Sequence, residues 1–117
     1  MTGLTTHVLD LSHGLPASQV RIDLFRIDED DREYLGTSRT NEDGRLSHPL
    51  LKGGEMERGI YEVVFYIGEY FQRKRKERNE PHFLTTVPVR FGISDPSQPY
   101  HVPLLVSPWG YQVYRGS

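Results

Sequence analysis

Residues 100–117 read "YHVPLLVSPWGYQVYRGS". The run from Tyr100 to Ser107 is apolar and β-branched, the composition of a half-buried pleated strand. A second strand-like run, "GYQVYRGS", follows, and Pro108-Trp109-Gly110 joins the two with turn chemistry. Terminal segments usually bury too little to stay ordered. Here an aromatic, an arginine, a glycine and a serine carry a strand-like pattern up to Ser117.

The same alternation recurs upstream. "FLTTVPVRFGI" (83–93) puts Phe83, Thr85, Val87, Val89, Phe91 and Ile93 on one face. Pro88 within it has no N–H for a ladder hydrogen bond and marks an edge or interrupted strand. "GIYEVVFYIG" (59–68) is a strand rich in β-branched and aromatic residues. "REYLGTSRT" (32–40) runs into "NEDGR" (41–45), where Asp43-Gly44 signals a tight turn. "VRIDLFRI" (20–27) alternates Val20, Ile22 and Leu24 and ends in the acidic turn "DEDD" (28–31). "LTTHVLDLS" (4–12) stops at His13-Gly14-Leu15-Pro16. Only "EYFQRKRKERN" (69–79) differs. Good helix formers, no internal Gly or Pro, and Pro81 beyond it predict one short helix. Tyr70 and Phe71 would tack it to the sheet, leaving "RKRKER" as a solvated face.

Seven or eight short strands with regular turn signals predict an all-β chain, an antiparallel β-sandwich, as one domain over residues 1–117. A chain of 117 residues buries roughly two-thirds of its unfolded surface, enough for a core without staples. Fourteen Lys+Arg against sixteen Asp+Glu, a net charge of -2, leaves no basic footprint for nucleic acid. The absence of cysteine excludes disulfides, thiolate zinc sites and cysteine nucleophiles. "MTGLTTHVLDLS" lacks the features of a signal peptide, and no run approaches membrane-spanning length. A soluble cytoplasmic protein is expected.

The five histidines, His7, His13, His48, His82 and His101, show no H-x-H or H-E-x-x-H spacing, so no metal site is expected. Ser12 and Ser107 lack a G-x-S-x-G elbow, and Gly53-Gly54 lies in a turn rather than a phosphate loop. His13, His48 and His82 adjoin Gly or Pro in turns and read as solvated. His7 and His101 sit inside strands, His7 on the face of Leu9 and Leu11, His101 on that of Leu105. Pattern alone favours packed core histidines at both positions. Arg45, just after the Asp43-Gly44 turn, reads equally as a surface residue. The tail from Tyr114 to Ser117 gathers a phenol, a guanidinium and a hydroxyl, or simply ends an edge strand in polar residues.

The two ends of the chain are more specific. "YHVPLLVSPWGYQVYRGS", with its closing Tyr-Arg-Gly-Ser, resembles a signature of the 5-hydroxyisourate hydrolases, the enzymes of the transthyretin-like family. "LTTHVLDLSHGLPA" resembles the other signature, "NEDGR" resembles the family's Gly-Arg turn, and "HFLTTVPVRFGISD" echoes its strand sequence loosely, so the resemblance spans almost the whole chain. It implies a transthyretin-like sandwich of two four-stranded sheets with one short helix. It also implies a homotetramer, a dimer of dimers, with active sites built by adjoining subunits in the inter-dimer channel.

The implied reaction opens 5-hydroxyisourate to 2-oxo-4-hydroxy-4-carboxy-5-ureidoimidazoline in urate degradation, with no metal, cofactor or covalent intermediate. Carried over residue by residue, the resemblance makes His7 the general base and Arg45 the holder of substrate and oxyanion. His101 orients water or relays the proton, and Ser117 joins the catalytic set. Tyr114, Arg115, Gly116 and Ser117 contact the substrate. Two departures stand out: Pro99 where the family often has histidine, and Gln112-Val113 where serine and threonine are common. The competing expectation is a transthyretin-like carrier of a small aromatic ligand, although transthyretin lacks the Tyr-Arg-Gly-Ser ending and the paired histidines.

Overall fold

The alternation in "GLTTHVLD" becomes β1 (Gly3–Asp10), in which Leu4, Thr6, Val8 and Asp10 are buried while Thr5, His7 and Leu9 are half-buried on the opposite face. The structure is a computed structural model that describes residues 3–75 and 81–116. After β1 come β2 (Leu15–Pro16), β3 (Arg21–Asp28), β4 (Asp31–Arg39), β5 (Leu51–Lys52) and β6 (Gly59–Phe65). The helix α1 (Ile67–Arg75) precedes β7 (Val87–Ile93), β8 (Tyr100–Val106) and β9 (Tyr111–Val113).

One sheet runs β2-β1-β8-β9, with β5 pairing the start of β1, and the other runs β4-β3-β6-β7. The core includes Leu4, Val8, Ile22, Val63, Phe65 and Leu104, each worth about 1.5–3 kcal/mol of transfer from water. Two sheets and one short helix are the architecture expected, with two differences in detail. The first sheet counts five strands rather than four, because β2 and β5, each two residues long, both pair with β1. Moreover, β1 and β8 run parallel, against the expectation of antiparallel pairing. An antiparallel neighbour needs only a tight turn, whereas a parallel one needs a long crossover. Here the crossover is the entire second sheet, which lies between β1 and β8 in the chain.

Strand ends also move for identifiable reasons. β6 stops at Phe65, short of the expected Gly68, because Ile67 enters the helix, where it is fully buried. The N–H of Gly68 donates to the Thr85 carbonyl at 2.9 Å. Thr85 is therefore occupied by the helix start, and the run expected as one strand over 83–93 joins the sheet only at Val87. Phe83 consequently misses the core and is 72% exposed. Pro88 lies opposite Val64 in β7, which is an edge strand as its proline requires. Tyr70 and Phe71 pack into the core as expected. Residues 76–79 of the expected helix, and with them the end of "RKRKER", lie outside the described residues. No helix among the described residues is long and apolar enough to cross a membrane.

Candidate active site

The parallel register of β1 and β8 sets Thr5 opposite His101 and His7 opposite Pro103. His7 and His101 therefore share the outer face of the first sheet, on adjacent strands. That face is half-buried rather than core, which overturns the packed-histidine reading: the inward positions of β1 belong to Leu4 and Val8, and Leu11 is 59% exposed.

The Asn41–Arg45 turn delivers the guanidinium. Asn41 Oδ1 accepts the N–H groups of Asp43 and Arg45 at 2.9 and 3.1 Å, and the Asn41 N–H donates to the Arg45 carbonyl at 2.7 Å. Gly44 takes φ +74°, a conformation that glycine adopts without strain. The Val8 N–H donates to the Gly44 carbonyl at 2.8 Å, which docks the turn on β1. His7 then meets the Asp43 carbonyl at 2.9 Å through Nε2. A carbonyl only accepts, so Nε2 carries the proton and a neutral His7 keeps its lone pair on Nδ1.

His101 is held differently. Its Nδ1 lies 2.8 Å from the Thr5 hydroxyl, and the Gly116 N–H donates to its carbonyl at 2.7 Å. Burial first, then the Arg45 charge, pushes His7 below the usual histidine range, against the opposing pull of Asp43. Burial, Arg45 and His7 push His101 down as well. Both imidazoles thus rest neutral near pH 7, the state in which a histidine accepts a proton.

A cavity of about 440 Å³ opens here, lined by Thr5, Thr6, Arg45, Leu46, Ser47, His48, Pro49, Pro99 and His101. His7 is not among the lining residues but lies within the field of Arg45. The tail divides. Gly116 bridges to His101, whereas Tyr114 and Arg115 line a second cavity of about 310 Å³ with Arg90, Phe91 and Tyr100. The Arg115 guanidinium stacks 4.1 Å above the Tyr100 ring, and its Nη2 donates to the Pro99 carbonyl at 3.4 Å. Ser117 lies outside the described residues.

Of the expected set, then, His7, Arg45, His101 and Gly116 come together within one chain, and Tyr114 and Arg115 do not join them. Sequence reading passed over Thr5, though strand alternation places it on the His7 face; His48 is an exposed loop residue as expected, and it also lines the cavity. His13 is exposed in a turn, as expected, and its Nδ1 also meets Asp10 Oδ2 at 2.6 Å.

Comparison with known proteins gives consistent results. The model of the HIUase/Transthyretin family matches residues 4–116. A relative from Rhizobium meliloti (strain 1021), 5-hydroxyisourate hydrolase 2, is 50% identical over 114 residues, 97% of this chain and 95% of that protein. The crystal structure of an (S)-allantoin synthase superposes with a TM-score of 0.90 at 47% identity; it covers 99% of this chain, which spans 44% of that larger one. The structure of Klebsiella pneumoniae 5-hydroxyisourate hydrolase superposes with a TM-score of 0.77 at 32% identity over 100% of both chains.

Proposed function

The chain belongs to the HIUase/Transthyretin family, and from that premise we infer that it hydrolyses 5-hydroxyisourate, a small-molecule substrate, in urate degradation. The observation that carries this reading is the identity of 50% over 97% of the chain to a 5-hydroxyisourate hydrolase, joined to two imidazoles on one sheet face within the field of the Arg45 guanidinium.

The chemistry assigns one task to each group. Water attacks a ring carbonyl while His7 accepts its proton at the free Nδ1. Arg45, permanently charged and forked, receives the negative charge that develops on the carbonyl oxygen. The C–N bond then breaks, the proton that His7 took from water passes by way of His101 to the leaving nitrogen, and the attacked carbon, still bonded to its ring neighbour, becomes the carboxylate of 2-oxo-4-hydroxy-4-carboxy-5-ureidoimidazoline. Side chains and water suffice for each step. Tyr114, Arg115, Gly116 and Ser117 complete substrate contact in this scheme.

The assembly we propose is a homotetramer, a dimer of dimers of single-domain chains in the cytoplasm, with sites in the channel between dimers. Its support is the exposed apolar surface of Leu11, Leu15, Trp109, Tyr111 and Tyr114, which suits burial against further copies of the chain. A second subunit is also the available source of Tyr114 and Arg115 contacts, since this chain's own Gly116 reaches His101 while its Tyr114 and Arg115 line the other cavity.

The deciding experiment follows freshly generated 5-hydroxyisourate by its ultraviolet absorbance. Catalytic amounts of protein should accelerate the decay. A protein that binds the compound stoichiometrically without accelerating it is a carrier, and the enzymatic reading is then lost.

A further inference from the structure

His7 and His101 rest on partners of different chemical kind. The Asp43 carbonyl can only accept, so it fixes one nitrogen of His7 as N–H in every protonation state. The Thr5 hydroxyl, 2.8 Å from His101 Nδ1, both donates and accepts. It donates when Nδ1 is bare and accepts when Nδ1 carries hydrogen. Only the hydroxyl rotor turns between these states; no heavy atom has to move.

The other side of the same ring is closed. A Cβ at Gly116 would stand 2.6 Å from Cδ2 and 3.3 Å from Cγ of His101. The imidazole is therefore packed against the Gly116 backbone and hydrogen-bonded on its opposite edge by Thr5. Among the described residues, Arg45 and His7 are the charged and titratable groups whose fields reach it. Among the described residues neither hydrogen-bonds its ring, whereas Thr5 does through its hydroxyl, and the Thr5 backbone also favours the charged form.

We propose that Thr5 is a positioning residue for the reaction: its hydroxyl holds His101 by Nδ1 through neutral and protonated states alike, leaving Nε2 as the nitrogen that exchanges the proton. The inference rests on the relay role given to His101 above. Thr5 touches no reacting atom; it acts through the ring it orients.

Valine at position 5 keeps the shape of threonine and deletes the hydroxyl, while serine keeps the hydroxyl. Thr5→Val should lower kcat about tenfold, the scale of one hydrogen bond, with KM changed less than about twofold. Thr5→Ser should recover turnover to within about threefold of the parent. In protein labelled with ¹⁵N-histidine, the His101 Nδ1 resonance and tautomer ratio should change in Thr5→Val and return in Thr5→Ser. A valine variant with parental kcat and an unmoved Nδ1 resonance overturns the proposal, as does a serine variant as damaged as the valine one. If Thr5→Val does not fold, Thr5→Ala takes its place with the same readouts. Should the unmodified protein fail to hydrolyse 5-hydroxyisourate, the functional reading falls, and the resonance comparison still decides whether Thr5 holds the ring.

Discussion

The Gly44 carbonyl accepts the Val8 N–H at 2.8 Å, fastening the turn that carries Arg45 to the strand that carries His7. Gly44 stands at φ +74°, and a Cβ there would collide with the Val8 carbonyl and come within 3.1 Å of Pro16 Cβ. Gly44→Ala should therefore cost about 1–3 kcal/mol of stability through strain. It should also lower kcat/KM at least about tenfold, because a small displacement of a positioned charge weakens the transition state. Thermal unfolding and the ultraviolet assay read the two effects separately.

Removing a general base costs about 10²–10⁴ in rate and removing one oxyanion donor about 10²–10³. His7→Ala and Arg45→Ala should each lose at least about a hundredfold in turnover, with melting temperatures near that of the parent, since both side chains lie outside the core cluster. Near-normal turnover in either variant removes that residue from its role.

Both histidines titrate below their ordinary 6.5. If the neutral forms are the working ones, the acid limb of kcat/KM against pH should fall below 6.5. Arg45 is a shared cause of the depression, so Arg45→Gln should move that limb upward in pH while lowering its plateau. The sign for stability follows from the same shift. Between the folded and unfolded values the unfolded chain binds more protons, so stability is lost as pH falls from 6.5 through the folded values. An acid limb that stays in place without Arg45 contradicts this electrostatic account.

Asp10 anchors the opposite end of β1. It is 1% exposed; its Oδ1 accepts hydrogen bonds from the Ser12 amide and hydroxyl and the His13 amide, and its Oδ2 accepts one from the Tyr70 hydroxyl and meets His13 Nδ1. Burial pushes its carboxyl up, but the bonds from Ser12, Tyr70 and His13 outweigh burial and hold it below the usual carboxylate range. Asp10→Ala should cost about 1–3 kcal/mol or more by orphaning buried donors, or roughly 4 °C of melting temperature per kcal/mol. Because its folded value lies below the unfolded one of about 3.9, its stabilisation is complete above that pH and disappears in stronger acid. Acid titration of the parent and variant by circular dichroism should converge at the low end.

A chain ending at Val113 retains β9, whose last rung pairs Leu104 with Val113. It loses the Gly116 bridge to His101 and the Arg115 stack on Tyr100. Such a truncation should fold cooperatively and show no measurable turnover. Retained turnover would separate the tail from catalysis.

Much of the architecture can be read from local pattern, because strand period, turn residues and a Gly- and Pro-free helical stretch act over a few residues. What pattern leaves open is which face turns inward. Leu9 and Leu11 beside His7 suggest a core face, yet Leu4 and Val8 occupy it, and alternation is the same for either choice. The parallel partnership of β1 and β8 is likewise a long-range fact with no local mark. Of the site, His7, Arg45 and His101 are visible through family resemblance. The Asp43 carbonyl is not, since a backbone group has no letter of its own, and Thr5 is legible only once its register against His101 is known.

Thr5 and His101 stand 96 positions apart, and that separation governs when the site can come into being. Along the chain β1 precedes β8 by the whole second sheet, drawn from residues 21–93, so only the short β2 and β5 are near enough to pair with β1 before β8 is available. Distant pairings of this kind close last and slowly, on the order of milliseconds to seconds. The expected order of events is a stage that is largely folded yet catalytically silent. In refolding, enzymatic competence should return with the final kinetic phase, after most of the strand signal has already recovered.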